Sequence, residues 1–142
     1  MLDRIDHVGI ACHDLETTIA FYESVFGLTV VSREVVETQG VREAMLKVAD
    51  TTVGASWVQL LEPLGPDTPV GKFLARRGEG VHHIGYGVTD ISAALAAIGG
   101  HGVRLIDERP RHGSMGASIA FLHPASVGGV LTELVQAPGS SR

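Results

Sequence analysis

Apolar residues recur at every third and fourth position in two stretches of the chain. Leu15, Ile19, Tyr22 and Phe26 follow Asp14, and Ile91, Ala94, Leu95 and Ile98 follow Asp90. That spacing predicts two amphipathic helices, each opened by an aspartate able to accept the first free amide hydrogens. Gly27 and the pair Gly99-Gly100 are the predicted stops. Outside the helices the pattern turns to short strand-like runs. After the first helix they cover about 28–37, 41–49 and 54–62, and after the second about 103–107, 117–123 and 129–136. Between the halves, Pro63, Pro66, Pro69 and several glycines mark a connector, with a short helix expected near Val70–Arg77.

The two halves are copies of one plan. Ile5-Asp6-His7-Val8-Gly9-Ile10 slides onto Val81-His82-His83-Ile84-Gly85-Tyr86, and the register carries on to pair Asp14 with Asp90 and Leu15 with Ile91. The closing strands also match, with Trp57-Val58-Gln59-Leu60-Leu61-Glu62 over Leu131-Thr132-Glu133-Leu134-Val135-Gln136. Strand, helix, strand, strand, strand, twice over, predicts an α+β fold of two tandem βαβββ modules. They are expected to form one cupped mixed sheet with the helices on its outer face. The predicted organisation is a single domain over 1–142, with module one at about 3–63, the connector at about 64–80 and module two at about 81–137. The concavity between the halves is the expected ligand site.

Strand alternation places His7, Gly9 and Ala11 on one face, and His83, Gly85 and Gly87 on the corresponding face of the second half. Gln59 and Glu133 lie at matched positions of the closing strands, each among apolar neighbours. A lone strand histidine is commonly a hydrogen-bonded core residue. Gln59 and Glu133 are more telling, because burying a polar end without a partner costs roughly one to several kcal/mol. Together His7, Gln59, His83 and Glu133 read as nitrogen and oxygen ligands for one divalent cation, with Co, Ni, Zn, Mn and Fe all compatible. Four protein ligands on an octahedral ion leave positions for water or substrate, as a catalytic site requires. His82 alternates away from that set, Cys12 reads as a small core residue, and His13, His101, His112 and His123 fall in expected loops or element ends. Gly113-Ser114-Met115-Gly116 reads as a mobile turn, and Lys72, Arg76 and Arg77 as a solvated helix face that could meet an anionic ligand.

Composition narrows the alternatives. With 44% hydrophobic and 19% charged residues the chain is an ordinary globule, so wholesale disorder is excluded. One cysteine cannot form an internal disulfide. A formal net charge of −5 and few aromatics argue against nucleic acid as a partner. No run approaches the ~20 apolar residues of a membrane span, and the first residues lack a signal-peptide pattern, so a cytoplasmic protein is expected.

Several segments resemble the vicinal-oxygen-chelate superfamily, which includes glyoxalase I and extradiol dioxygenases, and within it the methylmalonyl-CoA epimerase family. They are Ile5-Asp6-His7-Val8-Gly9-Ile10-Ala11, Gln59-Leu60-Leu61-Glu62-Pro63-Leu64-Gly65 and Gly71-Lys72-Phe73-Leu74-Ala75-Arg76-Arg77-Gly78-Glu79-Gly80-Val81-His82-His83-Ile84. Ile119-Ala120-Phe121-Leu122-His123-Pro124, leading to Glu133, is the fourth. The resemblance implies metal ligands at His7, Gln59, His83 and Glu133, the same four that the repeat singles out. It implies an acid/base carboxylate at Glu43, within Gly40-Val41-Arg42-Glu43-Ala44-Met45; proton exchange on opposite faces needs a second carboxylate, and Glu133, partly ligand and partly proton carrier, is the candidate. It further implies an acyl-CoA substrate, a divalent ion with Co2+ favoured over Mn2+, Ni2+ or Zn2+, and a homodimer. The competing readings are a glyoxalase I-type isomerase of a glutathione hemithioacetal, an iron dioxygenase, and a metal-free protein that sequesters a small molecule. Without the resemblance, Glu43 beside Arg42 reads as an exposed ion-pair residue.

Overall fold

A computed structural model describes residues 1–139. In chain order the elements are β1 (Arg4–Ala11), α1 (Leu15–Phe26), β2 (Val30–Val36), β3 (Val41–Thr51), β4 (Gly54–Pro63) and α2 (Pro69–Arg77). Then follow β5 (Gly80–Gly87), α3 (Ile91–Gly100), β6 (Arg111–His112), β7 (Ser118–Leu122) and β8 (Thr132–Gln136). The described residues form two compact units, one of His7–His82 and one of Met1–Asp6 with the chain from His83 onward. No helix among them is long and apolar enough to cross a membrane.

In the unit His7–His82 the strand order is β2-β3-β4-β1, antiparallel except for the parallel pair β1 and β4. α1 covers one face of this sheet, burying Leu15 and Ile19 against Cys12, Ala44, Leu46 and Leu60. Each fully buried leucine contributes roughly 1.5–3 kcal/mol, so the helix is fixed to this face by its apolar stripe. α2 packs Val70 and Leu74 against Ala11, Val41 and Leu61. Burial of Cys12 pushes its thiol above the ordinary range, leaving it a protonated core residue.

The other unit repeats the plan with order β5-β8-β7-β6, where β5 and β8 are the parallel pair. α3 buries Ile91, Ala94 and Leu95 against Val88, Ala120, Leu122 and Leu134. The N-terminal residues belong here, with the Asp3 N–H donating to the Gly87 carbonyl (2.9 Å).

The repetition extends to single hydrogen bonds. Asp14 accepts from the Thr17 N–H and Asp90 from the Ala93 N–H, both at 3.0 Å. The first amide of each helix is held by the end of the closing strand, Leu15 N–H by Glu62 Oε1 and Ile91 N–H by Gln136 Oε1, both at 2.9 Å. Equivalent caps have equivalent consequences. Asp14→Ala and Asp90→Ala are each expected to cost about 1 kcal/mol of stability, within a range of about 0.5–2, measured by urea denaturation.

One expectation is corrected. The run 103–107 is not a strand; Leu105 makes only an isolated bridge to Leu122, and the short β6 at Arg111–His112 pairs with β7 instead. The Asp107 carboxylate takes the Phe121 N–H that a neighbouring strand would have used. α3 ends at Gly100, at the expected Gly99-Gly100 stop, with His101 as its cap and Gly102 in the left-handed conformation (φ +81°) just beyond.

Candidate active site

In the unit His7–His82, β1 lies parallel to β4 with His7 opposite Trp57 and Gly9 opposite Gln59. Residues opposite one another share a sheet face, so His7 and Gln59 project to the same side, and Gly9 adds no side chain between them. Glu43 enters on this face from β3, opposite Leu61. All three are buried, with Glu43 only 1% exposed and His7 and Gln59 each 4%. Gln59 Nε2 donates to Glu43 Oε2. Leu61 and Ala11 extend the face into the apolar cluster under α2, so the polar group sits at the margin of a core.

The other unit reproduces this register. β5 lies parallel to β8 with Gly85 opposite Glu133, so the glycine two residues beyond the histidine again faces the oxygen donor. His83 is 3% exposed and Glu133 4%. His83 Nε2 stands 3.5 Å from Glu133 Oε1. Phe121 lies opposite Glu133 on β7, and its ring meets the His83 imidazole edge to face, with centroids 5.5 Å apart at 80°. The expected alternation of His7, Gln59, His83 and Glu133 is therefore present in each half.

Glu43 is not the exposed ion-pair residue that its sequence neighbourhood suggests. Its neighbour Arg42 alternates to the opposite face and pairs there with Glu62 (3.5 Å). A buried carboxylate costs several kcal/mol even after relaxation unless its charge is compensated. Glu43 accepts from the Gln59 amide, and Glu133 Oε1 lies 3.5 Å from His83 Nε2. Opposite Glu43 on β2 stands Glu34, which accepts from Ser32 Oγ (3.4 Å). Strand pairing puts Glu34 on the same sheet face as Glu43.

The other histidines are elsewhere. The His82 ring packs against Phe73 of α2 (5.0 Å, 79°), and His123 Nδ1 accepts from the Ala125 N–H in a 3₁₀ turn. His13, His101 and His112 are exposed, as are Lys72, Arg76 and Arg77. The segment Ser114–Gly116 forms a 3₁₀ turn closed by the Ala117 N–H to Ser114 carbonyl bond (3.1 Å). Met115 sits there at φ 55°, a left-handed conformation costing a non-glycine residue roughly 1–2 kcal/mol.

His7, His83 and Glu133 are buried groups of the kinds that ligate divalent ions, and Gln59 adds an amide oxygen. Cys12 lies in the core under α1, so the donor set holds no sulfur. Imidazole, amide and carboxylate without thiolate fit a hard or borderline divalent cation.

Residues 6–121 match the family model of the Glyoxalase/Bleomycin resistance protein/Dioxygenase superfamily. The chain belongs to that superfamily. Its α+β architecture of repeated βαβββ modules is the vicinal-oxygen-chelate fold. A solved superfamily structure is a variant of Streptomyces coelicolor methylmalonyl-CoA epimerase in complex with 2-nitronate-propionyl-CoA. It is 55% identical with a TM-score of 0.96, and the match covers 98% of this chain and 97% of that one. Human mitochondrial methylmalonyl-CoA epimerase is 37% identical over 96% of this chain and 75% of its own length. The ethylmalonyl-CoA/methylmalonyl-CoA epimerase of Cereibacter sphaeroides is 35% identical over 96% of this chain and 99% of its own. These whole-chain matches extend beyond the family model and include β8, which carries Glu133.

Proposed function

We propose that the chain epimerises C2 of methylmalonyl-CoA, interconverting the (2R) and (2S) forms by 1,1-proton transfer through a stabilised enolate. The observation that carries this reading is the repeated register of a buried histidine and a buried oxygen donor, with Glu43 beside one copy. The substrate follows from the epimerase relatives, one of them bound to a propionyl-CoA analogue.

The C2 hydrogen lies between a thioester and a carboxylate, and its removal leaves charge that can spread onto the thioester oxygen. His7, Gln59, His83 and Glu133 are assigned as the ligands of one divalent ion per chain, with Co2+ favoured over Mn2+, Ni2+ and Zn2+. Such an ion supplies Lewis-acid stabilisation of negative charge, worth several kcal/mol. Glu43 and Glu133 exchange the proton on opposite faces of C2, one as base and the other as acid, each contributing roughly 10²–10⁴-fold. The Gln59 amide, donating to one oxygen of Glu43, orients that carboxylate. In this reading the two halves act as one domain, and the protein is a cytoplasmic homodimer that takes an acyl-CoA.

An assay on (2S)-methylmalonyl-CoA, beside one on the glutathione–methylglyoxal hemithioacetal, tests the substrate assignment. Turnover of the acyl-CoA alone is expected. Turnover of the hemithioacetal alone would make the protein a glyoxalase I-type isomerase. Binding of neither metal nor acyl-CoA would favour a sequestering protein.

A further inference from the structure

We propose that Asp107, Arg111 and Phe121 form a clamp that sets the orientation of the His83 imidazole for metal binding; the inference rests on the metal-dependent reading above. All three lie in the unit that carries His83, and none is among the predicted site residues. Asp107 is the hinge. Its Oδ2 accepts both the Phe121 N–H (2.9 Å) and Arg111 Nε (3.3 Å), and its own N–H donates back to the Phe121 carbonyl (3.1 Å). Arg111, so tethered, lays its guanidinium 5.5 Å from the centre of the Phe121 ring. The ring is buried in a cluster with Ala117, Ile119 and Val135, against which Leu131 packs, and it meets His83 edge to face. The Phe121 backbone stands opposite Glu133, so the same strand position borders both members of the His83–Glu133 pair.

The physical need is rotational. A histidine's terminal torsion has a broad, roughly two-fold profile, so backbone position alone does not fix where Nε2 points. A flat wall at 80° to the imidazole restricts that torsion, and the groups that orient a ligating histidine tune its metal affinity. Asp107 fixes the backbone of the wall, and Arg111 holds its outer face. Asp107, Arg111 and Phe121 act through the His83 ring and are positioning residues.

The test is a Co2+ titration of metal-free protein by calorimetry, with the Co2+ visible absorption spectrum and the thermal stability of each metal-free variant recorded alongside. Arg111→Met keeps the aliphatic stem, and Phe121→Leu keeps the apolar volume while losing the flat wall. Each is expected to weaken Co2+ binding about tenfold and alter the spectrum, with Arg111→Lys recovering part of the affinity. Metal-free Arg111→Met should melt as the wild type does. Wild-type affinity and spectrum in Arg111→Met and Phe121→Leu would overturn the clamp, as would an affinity loss seen only alongside loss of metal-free stability. His83→Ala separates the two levels. If it binds Co2+ as tightly as the wild type, the metal assignment itself fails, whatever the clamp variants do.

Discussion

Glu43→Gln is expected to slow exchange of the C2 proton by about 10²–10⁴-fold while leaving bound metal at the wild-type level. An amide of the same shape can still accept from Gln59 Nε2, so the local packing survives. It cannot take up a proton, and at 1% exposure the site admits little solvent to act in its place. Metal analysis and proton exchange on the same preparation separate a lost acid/base group from a lost binding site. Wild-type exchange in this variant would remove Glu43 from the mechanism. Lost metal with unchanged folding would move Glu43 into the ligand set.

The second large effect is expected from His83→Ala, which should remove bound metal and lower kcat/KM by more than about 100-fold. The substitution also leaves the Glu133 carboxylate buried beside an emptied position, and a buried polar group deprived of a neighbour costs about 1–3 kcal/mol, more when it is charged. Stability must therefore be read in the same experiment. His82→Ala is the internal control. Its ring rests on Phe73, and this variant should keep both metal and turnover. Equal losses in the two variants would indicate damage to β5 as a whole and not the removal of a ligand.

Most of the fold is written in the repeat. Asp14 and Asp90 cap their helices as the pattern predicts, and Gly9 opposite Gln59 matches Gly85 opposite Glu133. Alternation along a strand is a strong signal where one face is covered and the other solvated, and it fades on β3, where Glu43, Ala44, Met45 and Leu46 are all buried. The signal fails where tertiary contacts overrule local pattern. Val103 to Asp107 alternates like a strand, but the Asp107 side chain reaches the backbone of β7 and diverts the segment.

The candidate site was legible for the same reason. His7, Gln59, His83 and Glu133 occupy matched positions, and a matched pair of buried polar residues is hard to produce by chance. Glu43 has no such counterpart, and beside Arg42 its environment looks solvated until the pairing of β3 with β4 puts it opposite Leu61. Phe121 was invisible as anything but core. Its contact with His83 depends on the register of β7 against β8, which composition does not encode.

Deuterium incorporation at C2 of methylmalonyl-CoA in D2O, followed with metal-free protein and again after reconstitution with Co2+, probes the central claim most directly. The account predicts exchange accompanied by epimerisation in the reconstituted protein and none above background in the metal-free protein. Equal exchange by both forms would contradict it.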